Sequence, residues 1–277
     1  MSNPVFNNSA IFGEPKRGRS AVQDSRGPAV QDTVISGQAG VQAATLEQMY
    51  GAPTATTRET KRLTYDDVIV KTGGLLALLV VVAAVTWTLA PQLWVFGAIV
   101  GLVLGLVNAF KREPSPLLIT LYAVAQGVFL GGISAFYESF YDGVVGQAVL
   151  ATVAVFATSL VLFRSGKVRV TPKFQKFLLI GMVGYLVFSL LNIVLMFVMP
   201  SGDFGPLRGG WLGVAVGLVA VGLAAMSLIV DFDSIKRGVE GGAPAKFAWS
   251  AAFGLLVTLI WLYLELLRLL AILRGDN

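Results

Sequence analysis

The chain has 277 residues, 55% of them hydrophobic and only 13% charged, and a mean hydropathy of +0.74. A water-soluble domain carries about 25% charged residues, so too little polar surface is left for a globular exterior, and the composition points to an all-α, polytopic membrane protein. Cysteine and histidine are both absent, which excludes disulfides, thiolate nucleophiles, zinc–thiolate and iron–sulfur sites, Ser-His-Asp triads and histidine-ligated haem. Any response to pH near neutrality therefore falls to carboxylates.

Residues 1–63 are rich in Ser, Gly, Pro, Gln and Thr, and their apolar residues follow no period. Such a segment buries too little to offset its ordering entropy, so 1–63 is predicted to be a disordered cytoplasmic tail. Its short repeat, Ala21-Val22-Gln23-Asp24 and Ala29-Val30-Gln31-Asp32, is too small for a solenoid unit. The start of the tail has no apolar run of signal-peptide length, so no cleavable signal is expected.

Residues 64–277 are predicted to form a seven-helix transmembrane domain. Apolar runs of the length that crosses ~30 Å of hydrocarbon lie at 72–90, 93–110, 116–140, 145–163, 177–199, 211–230 and 247–273. Between them stand helix-ending residues: Pro91, Lys111 to Pro114, Asp142-Gly143, Ser165 to Lys167, Pro200 to Asp203 and Gly241-Gly242. The first break is so short that spans one and two form a tight hairpin.

Charge tests the count. With the tail in the cytoplasm, the tail and span-one start hold eight Lys or Arg residues, and the second, fourth and sixth connections hold two, five and three, which is 18 of the 21 in the chain. Arg208 and Arg274 fall outside and Arg268 lies within span seven. This asymmetry follows the positive-inside rule. It implies a multi-pass protein of the cell (inner, cytoplasmic) membrane, with the N-terminus in the cytoplasm and the C-terminus outside. It also accounts for the net charge of +5 without nucleic acid, because the basic residues are spread over several loops.

Polar residues inside spans are costly and so are functional candidates. In span three, Gln126 stands about ten residues from Pro116, near mid-bilayer at about 1.5 Å per residue, beside a small-residue face with Gly127 and Gly131; Glu138 closes the span. The plain reading of Gln126 is a hydrogen bond across a helix interface. Asp231 and Asp233 close span six two positions apart, a spacing that turns them in different directions on a helix, so one at most faces the interior. The plain alternative is a pair of interfacial carboxylates beside Lys236 and Arg237. Glu265 and Arg268, three apart in span seven, can pair on one face, near the outer surface beside Trp261 and Tyr263; an interfacial ion pair and a pore carboxylate both fit. Gly97, Gly101 and Gly105, and Gly213 with Gly217, mark close helix packing.

No enzyme chemistry is expected. Tyr141-Asp142 and Gly202-Asp203 fall in connections, not in spans as an intramembrane aspartyl protease would need. No lysine lies at depth for a Schiff base or a serine–lysine pair. No cofactor is expected, and no resident metal is assigned.

Four stretches carry a resemblance. They are Asp66-Asp67-Val68-Ile69-Val70-Lys71-Thr72 at the start of span one, Gln126-Gly127-Val128-Phe129-Leu130-Gly131 with Ser134 and Glu138 in span three, Asp231-Phe232-Asp233-Ser234-Ile235 closing span six, and Leu262-Tyr263-Leu264-Glu265 in span seven. In this order they resemble the Bax inhibitor-1 family of seven-span membrane proteins, in its longer actinobacterial-type branch. The third resembles the family's D-x-x-x-I motif and the fourth its L-[YF]-L-D. The resemblance implies a pH-sensitive leak of Ca²⁺ or another cation across the bilayer, gated by one acid on span six and one on span seven. Carried over by motif, these are Asp231 and Glu265, with Ca²⁺ passing near Asp231. Two carboxylates in a poorly solvated site can share one proton, and Ca²⁺ prefers carboxylate oxygens. Some relatives instead restrain a membrane AAA protease, which gives the alternative of an adaptor that binds another membrane protein, with the tail as partner surface.

The sequence departs from the family pattern in two respects. The span-seven acid is Glu, and it lies 34 positions beyond Asp231, about ten more than the family spacing. A hairpin whose loop is 239–245 brings Asp231 opposite 252–256 and leaves Glu265 about 15 Å further along. Anchoring on Trp249 instead puts Val257 or Thr258 at the acidic position. Either the connection is not a simple hairpin or the two-carboxylate gate is absent.

Overall fold

The computed structural model describes residues 62–199 and 205–275. Apart from Arg62 and Leu63, the predicted tail lies outside the described residues. Seven helices follow one another: α1 (Tyr65–Leu89), α2 (Trp94–Phe110, after a 3₁₀ turn at Pro91–Leu93), α3 (Pro116–Phe140), α4 (Val144–Arg164), α5 (Pro172–Val198), α6 (Gly210–Glu240) and α7 (Ala248–Gly275, after a 3₁₀ turn at Ala245–Phe247). All seven are long and apolar enough to cross a membrane.

The third helix has the predicted bounds, but α1 begins ahead of residue 72 and α6 runs well past 230, because polar residues continue both helices. Thr64 caps α1 by accepting the Asp67 N–H at 3.1 Å. Asp66 and Asp67 lie in the first turn, where the helix dipole favours negative charge, and Asp67 pairs with Lys71 one turn on at 3.8 Å. The α6 extension repeats the device, with Asp233 bound to Arg237 at 3.0 Å and Lys236 to Glu240 at 3.8 Å. Such i,i+4 pairs support a helix in water, beyond the reach of a hydropathy window.

The centre of the bundle is α7. Of its central window 67% is buried, against 11% for α2 and α5. Leu256, Leu262 and Leu267 are wholly enclosed, and of its large apolar residues Val257 and Leu273 stand exposed. The outer helices turn such residues outward: Phe96, Leu102, Leu150, Val161, Ile180 and Leu191 are all exposed. An apolar exterior of this extent fits hydrocarbon and not water.

Glycines bring α1, α2 and α3 into contact. A Cβ on Gly127 would stand 2.8 Å from the Leu79 carbonyl oxygen, one on Gly131 would stand 2.9 Å from Ala83 Cα, and one on Gly97 would stand 2.6 Å from the Phe129 nitrogen. The obstacles are backbone atoms, so no rotamer change relieves them. Gly131→Ala is therefore expected to lower the thermal unfolding midpoint in detergent, at a cost of about 1–3 kcal/mol for overpacking, although alanine is the better helix former by about 1 kcal/mol. Gly146→Ala, where the added carbon meets nothing within 4 Å, should not lower it.

One end of the bundle gathers Lys71, Lys111, Arg112, Arg164, Lys236, Arg237 and Lys246, because α1 and α7 begin there while α2, α4 and α6 end there. At this basic end the chain is anchored before α1: Leu63, 4% exposed, donates its N–H to the Ala243 carbonyl at 2.7 Å, and Arg62 bridges to Pro244. Lys246 pairs with Glu113 at 2.8 Å, tying the α2–α3 connection to the start of α7. The Lys246 ammonium holds the Glu113 carboxyl below its usual range. A lowered carboxylate pKa gives stability that is present above the unfolded value and lost as pH falls through the folded one. The pair is therefore unchanged between pH 6 and 8 and cannot supply a response near neutrality.

Candidate functional site

Two centres built on a carboxylate interrupt the apolar interior, both against α7. The first lies toward the basic end, where α6 and α7 run antiparallel. Small residues set their approach: Ala220, Ala224, Ala248 and Ala252 are fully enclosed. The Thr258 hydroxyl donates to Asp231 Oδ2 at 2.7 Å and also lies 3.2 Å from the Gly254 carbonyl of its own helix. A Cβ on Gly254 would stand 3.9 Å from Asp231 Oδ1. Next to Asp231, Phe232 turns toward α4 and packs against Phe156 and Phe163. Asp233 points away along α6 to Arg237. The two aspartates diverge as an i,i+2 spacing requires, and Asp231 is the one that meets α7.

The structure does not bring Asp231 and Glu265 together. The α6–α7 connection is a simple hairpin, and the residue facing Asp231 is Thr258, as anchoring on Trp249 implies. Glu265 stands two helical turns beyond Thr258, about 10 Å along the axis.

Glu265 forms the second centre and is 3% exposed. Its Oε1 accepts from Arg268 Nη2 at 2.9 Å, from Trp261 Nε1 at 3.2 Å and from the Tyr185 hydroxyl of α5 through a short contact. The Tyr185 oxygen accepts in turn from Arg208 Nη2 at 2.9 Å, and the same nitrogen donates to Ser189 Oγ at 2.7 Å. Arg208 precedes α6 and is 7% exposed. Its guanidinium lies 5.3 Å from the Tyr185 ring and 5.7 Å from the Phe188 ring. The Glu265–Arg268 pair expected from the i,i+3 spacing is thus present, as part of a network joining α5, α7 and the segment before α6.

The remaining candidates have packing and capping surroundings. Gln126 is 9% exposed and lies against Gly101 of α2. Gly127 and Gly131 face α1. Ser134 and Tyr263 share a buried hydroxyl–hydroxyl bond of 2.7 Å between α3 and α7. Glu138 accepts the N–H groups of Gly143 at 2.6 Å and Val145 at 3.0 Å, capping α4; Gly143 has φ of +74°, a conformation that favours glycine. Sequence reading missed Tyr185, Ser189, Asn192 and the buried role of Arg208. Their signal was available in the 185, 189, 192 spacing, which places three polar side chains on one face of an otherwise apolar helix. Among the described residues no three acidic side chains gather around one point to hold a metal.

The fold and these two centres define a polytopic, seven-helix membrane protein with a central helix that carries its buried polar contacts. A protein-family model described as Bax inhibitor 1 like matches residues 3–275, nearly the whole chain. The chain belongs to this family. No curated protein matches it.

Proposed function

We propose that the protein is a passive, pH-sensitive cation leak, with Ca²⁺ as the cation, closed at the Asp231–Thr258 contact and not by a pair of carboxylates. The observation that supports this reading is the 2.7 Å bond from the Thr258 hydroxyl to Asp231 Oδ2, a polar tie between α6 and the central helix where both are otherwise closely packed and apolar. Ionised Asp231 is a charged acceptor, and hydrogen bonds to charged groups are roughly twice as strong as neutral ones. Protonation weakens the tie and removes a charge from the path in one step, so the leak rises as pH falls. A carboxylate oxygen is also the ligand type that hard Ca²⁺ prefers. The adaptor alternative rests on residues 1–63, all but the last two of which lie outside the described residues, and no described contact favours it.

Thr258→Val tests the tie, because it keeps the branched shape and deletes the donor. Ca²⁺ efflux from proteoliposomes at pH 8 is expected to rise several-fold over the unsubstituted protein. Efflux equal to that of the unsubstituted protein at every pH would remove Thr258 from the gate.

A further inference from the structure

A cavity of about 700 Å³ lies between α5 and α7, with Tyr137 of α3 on its wall. On its α5 side Tyr185, Ser189 and Asn192 line it toward the polar end, and Met182, Leu186, Ile193 and Met196 form an apolar strip that also stands exposed on the outside of the bundle. The cavity therefore opens sideways, toward where hydrocarbon would lie. Its polar end holds Arg208, Arg268 and Glu265.

The charges at that end do not balance. Two guanidinium groups meet one carboxylate, whose Oε1 already accepts from three donors. Arg268 pairs with Glu265, but among the described residues no carboxylate lies within 4.0 Å of Arg208. Arg208 Nη2 is spent on the Tyr185 and Ser189 hydroxyls, and its Nε is buried with no hydrogen-bond partner. An uncompensated buried charge and an unmet donor are both costly. The void behind Arg208, toward Gly213 and Gly217, is only about 10 Å³, room for one water at most. The enclosed Nε is closed to the large cavity, but the rest of the guanidinium lines it, and an anion there would supply the second counter-charge that Glu265 alone cannot.

We propose that this cavity is a binding site for an anionic phospholipid, with the phosphate at Arg208 and Arg268 and an acyl chain along the apolar face of α5. Arginine suits the phosphate because its planar fork donates to two oxygens at once. The apolar strip and the sideways opening favour a lipid over a free anion: a dissolved phosphate would gain nothing from Leu186 or Ile193, whereas an acyl chain buries against both. The site is separate from the proposed gate: neither Asp231 nor Thr258 lines it, and the Thr258 hydroxyl is bound to Asp231 and to the Gly254 carbonyl.

Trp261 lines the cavity and serves as the reporter in a background in which Trp87, Trp94, Trp211 and Trp249 are replaced by Phe. The full-length protein would be reconstituted in bilayers containing brominated phosphatidylglycerol or brominated phosphatidylcholine, and tryptophan quenching compared. The expected preference for phosphatidylglycerol is about tenfold in relative binding constant, the worth of about 1.4 kcal/mol. It should fall toward that of a non-selective lipid shell in Arg208→Gln and in Arg268→Gln, each checked for native helix content by circular dichroism. Arg208→Lys, which keeps the charge and loses the fork, should retain part of it if Arg208→Gln does not fold. Lipid enrichment around the basic end is common to all variants and cancels in the comparison. An equal preference in this parent background and in Arg268→Gln together with Arg208→Lys would overturn the proposal. So would loss of the preference on adding inorganic phosphate, which would assign the arginines to a free anion.

Discussion

Asp231→Asn is expected to give a Ca²⁺ efflux that no longer varies between pH 5 and 8, held near the value that the unsubstituted protein reaches at the acid end. Asparagine has the shape of aspartate and still offers an oxygen to the Thr258 hydroxyl, but that oxygen is neutral and cannot titrate. The variant therefore imitates protonated Asp231 at every pH, with the weaker of the two hydrogen bonds. The sign follows from the bond: the charged form holds α6 to α7, so the unsubstituted protein leaks least at high pH and the substitution raises its efflux most there. Asp233→Asn separates this from a general effect of charge at the end of α6. Asp233 is bound to Arg237 of its own helix at 3.0 Å, and the polar tie to α7 is made by Asp231, so the Asp233→Asn variant should keep the pH profile of the unsubstituted protein. An Asp231→Asn protein that followed the same pH profile would place the proton sensor elsewhere.

Glu265→Gln is expected to act on stability and leave the pH profile in place. Glu265 is the carboxylate that Arg268 pairs with and the centre on which Tyr185 and Trp261 converge. Neutralising it leaves two guanidinium groups in a nearly dry site without a counter-charge. Removing one partner of a buried ion pair costs about 3–5 kcal/mol, and because Arg268 keeps 20% of its side-chain surface exposed, the lower figure, about 3 kcal/mol, is expected. Thermal unfolding in detergent would show the loss as a lower midpoint. The efflux of the folded fraction should still rise toward acid, since Glu265 does not reach Asp231. A Glu265→Gln protein of full stability with a flat pH profile would restore the two-carboxylate gate.

Much of the architecture was legible in the sequence because two independent signals agree. Apolar run length located all seven spans, and the distribution of Lys and Arg set their alternation. The run length failed where helices leave the apolar layer: nothing in hydropathy extends α1 back to Tyr65 or α6 on to Glu240, and there the Thr64 cap and the i,i+4 ion pairs govern. The site was partly legible. Motif resemblance pointed to Asp231 and Glu265, while counting residues from the hairpin loop argued that they could not meet, and the geometry favours the count. That count put 252–256 opposite Asp231 and fell two positions short of Thr258, because a loop's midpoint does not fix the helix phase; the anchoring on Trp249 reached Val257 or Thr258, and the bond is made by Thr258. The network around Glu265 was not legible, because its partners Tyr185 and Arg208 lie 80 and 57 positions away. No local pattern in α7 encodes which neighbour will cover it.

The most direct test of the central claim, a leak whose pH sensitivity resides in Asp231, is Ca²⁺ efflux from proteoliposomes across pH 5 to 8, with the unsubstituted protein, Asp231→Asn and empty liposomes run side by side. The account predicts efflux above empty liposomes that climbs toward acid in the unsubstituted protein and a level trace at the acid value in Asp231→Asn. Folded protein that releases no more Ca²⁺ than empty liposomes at any pH, or an Asp231→Asn trace parallel to that of the unsubstituted protein, would contradict it.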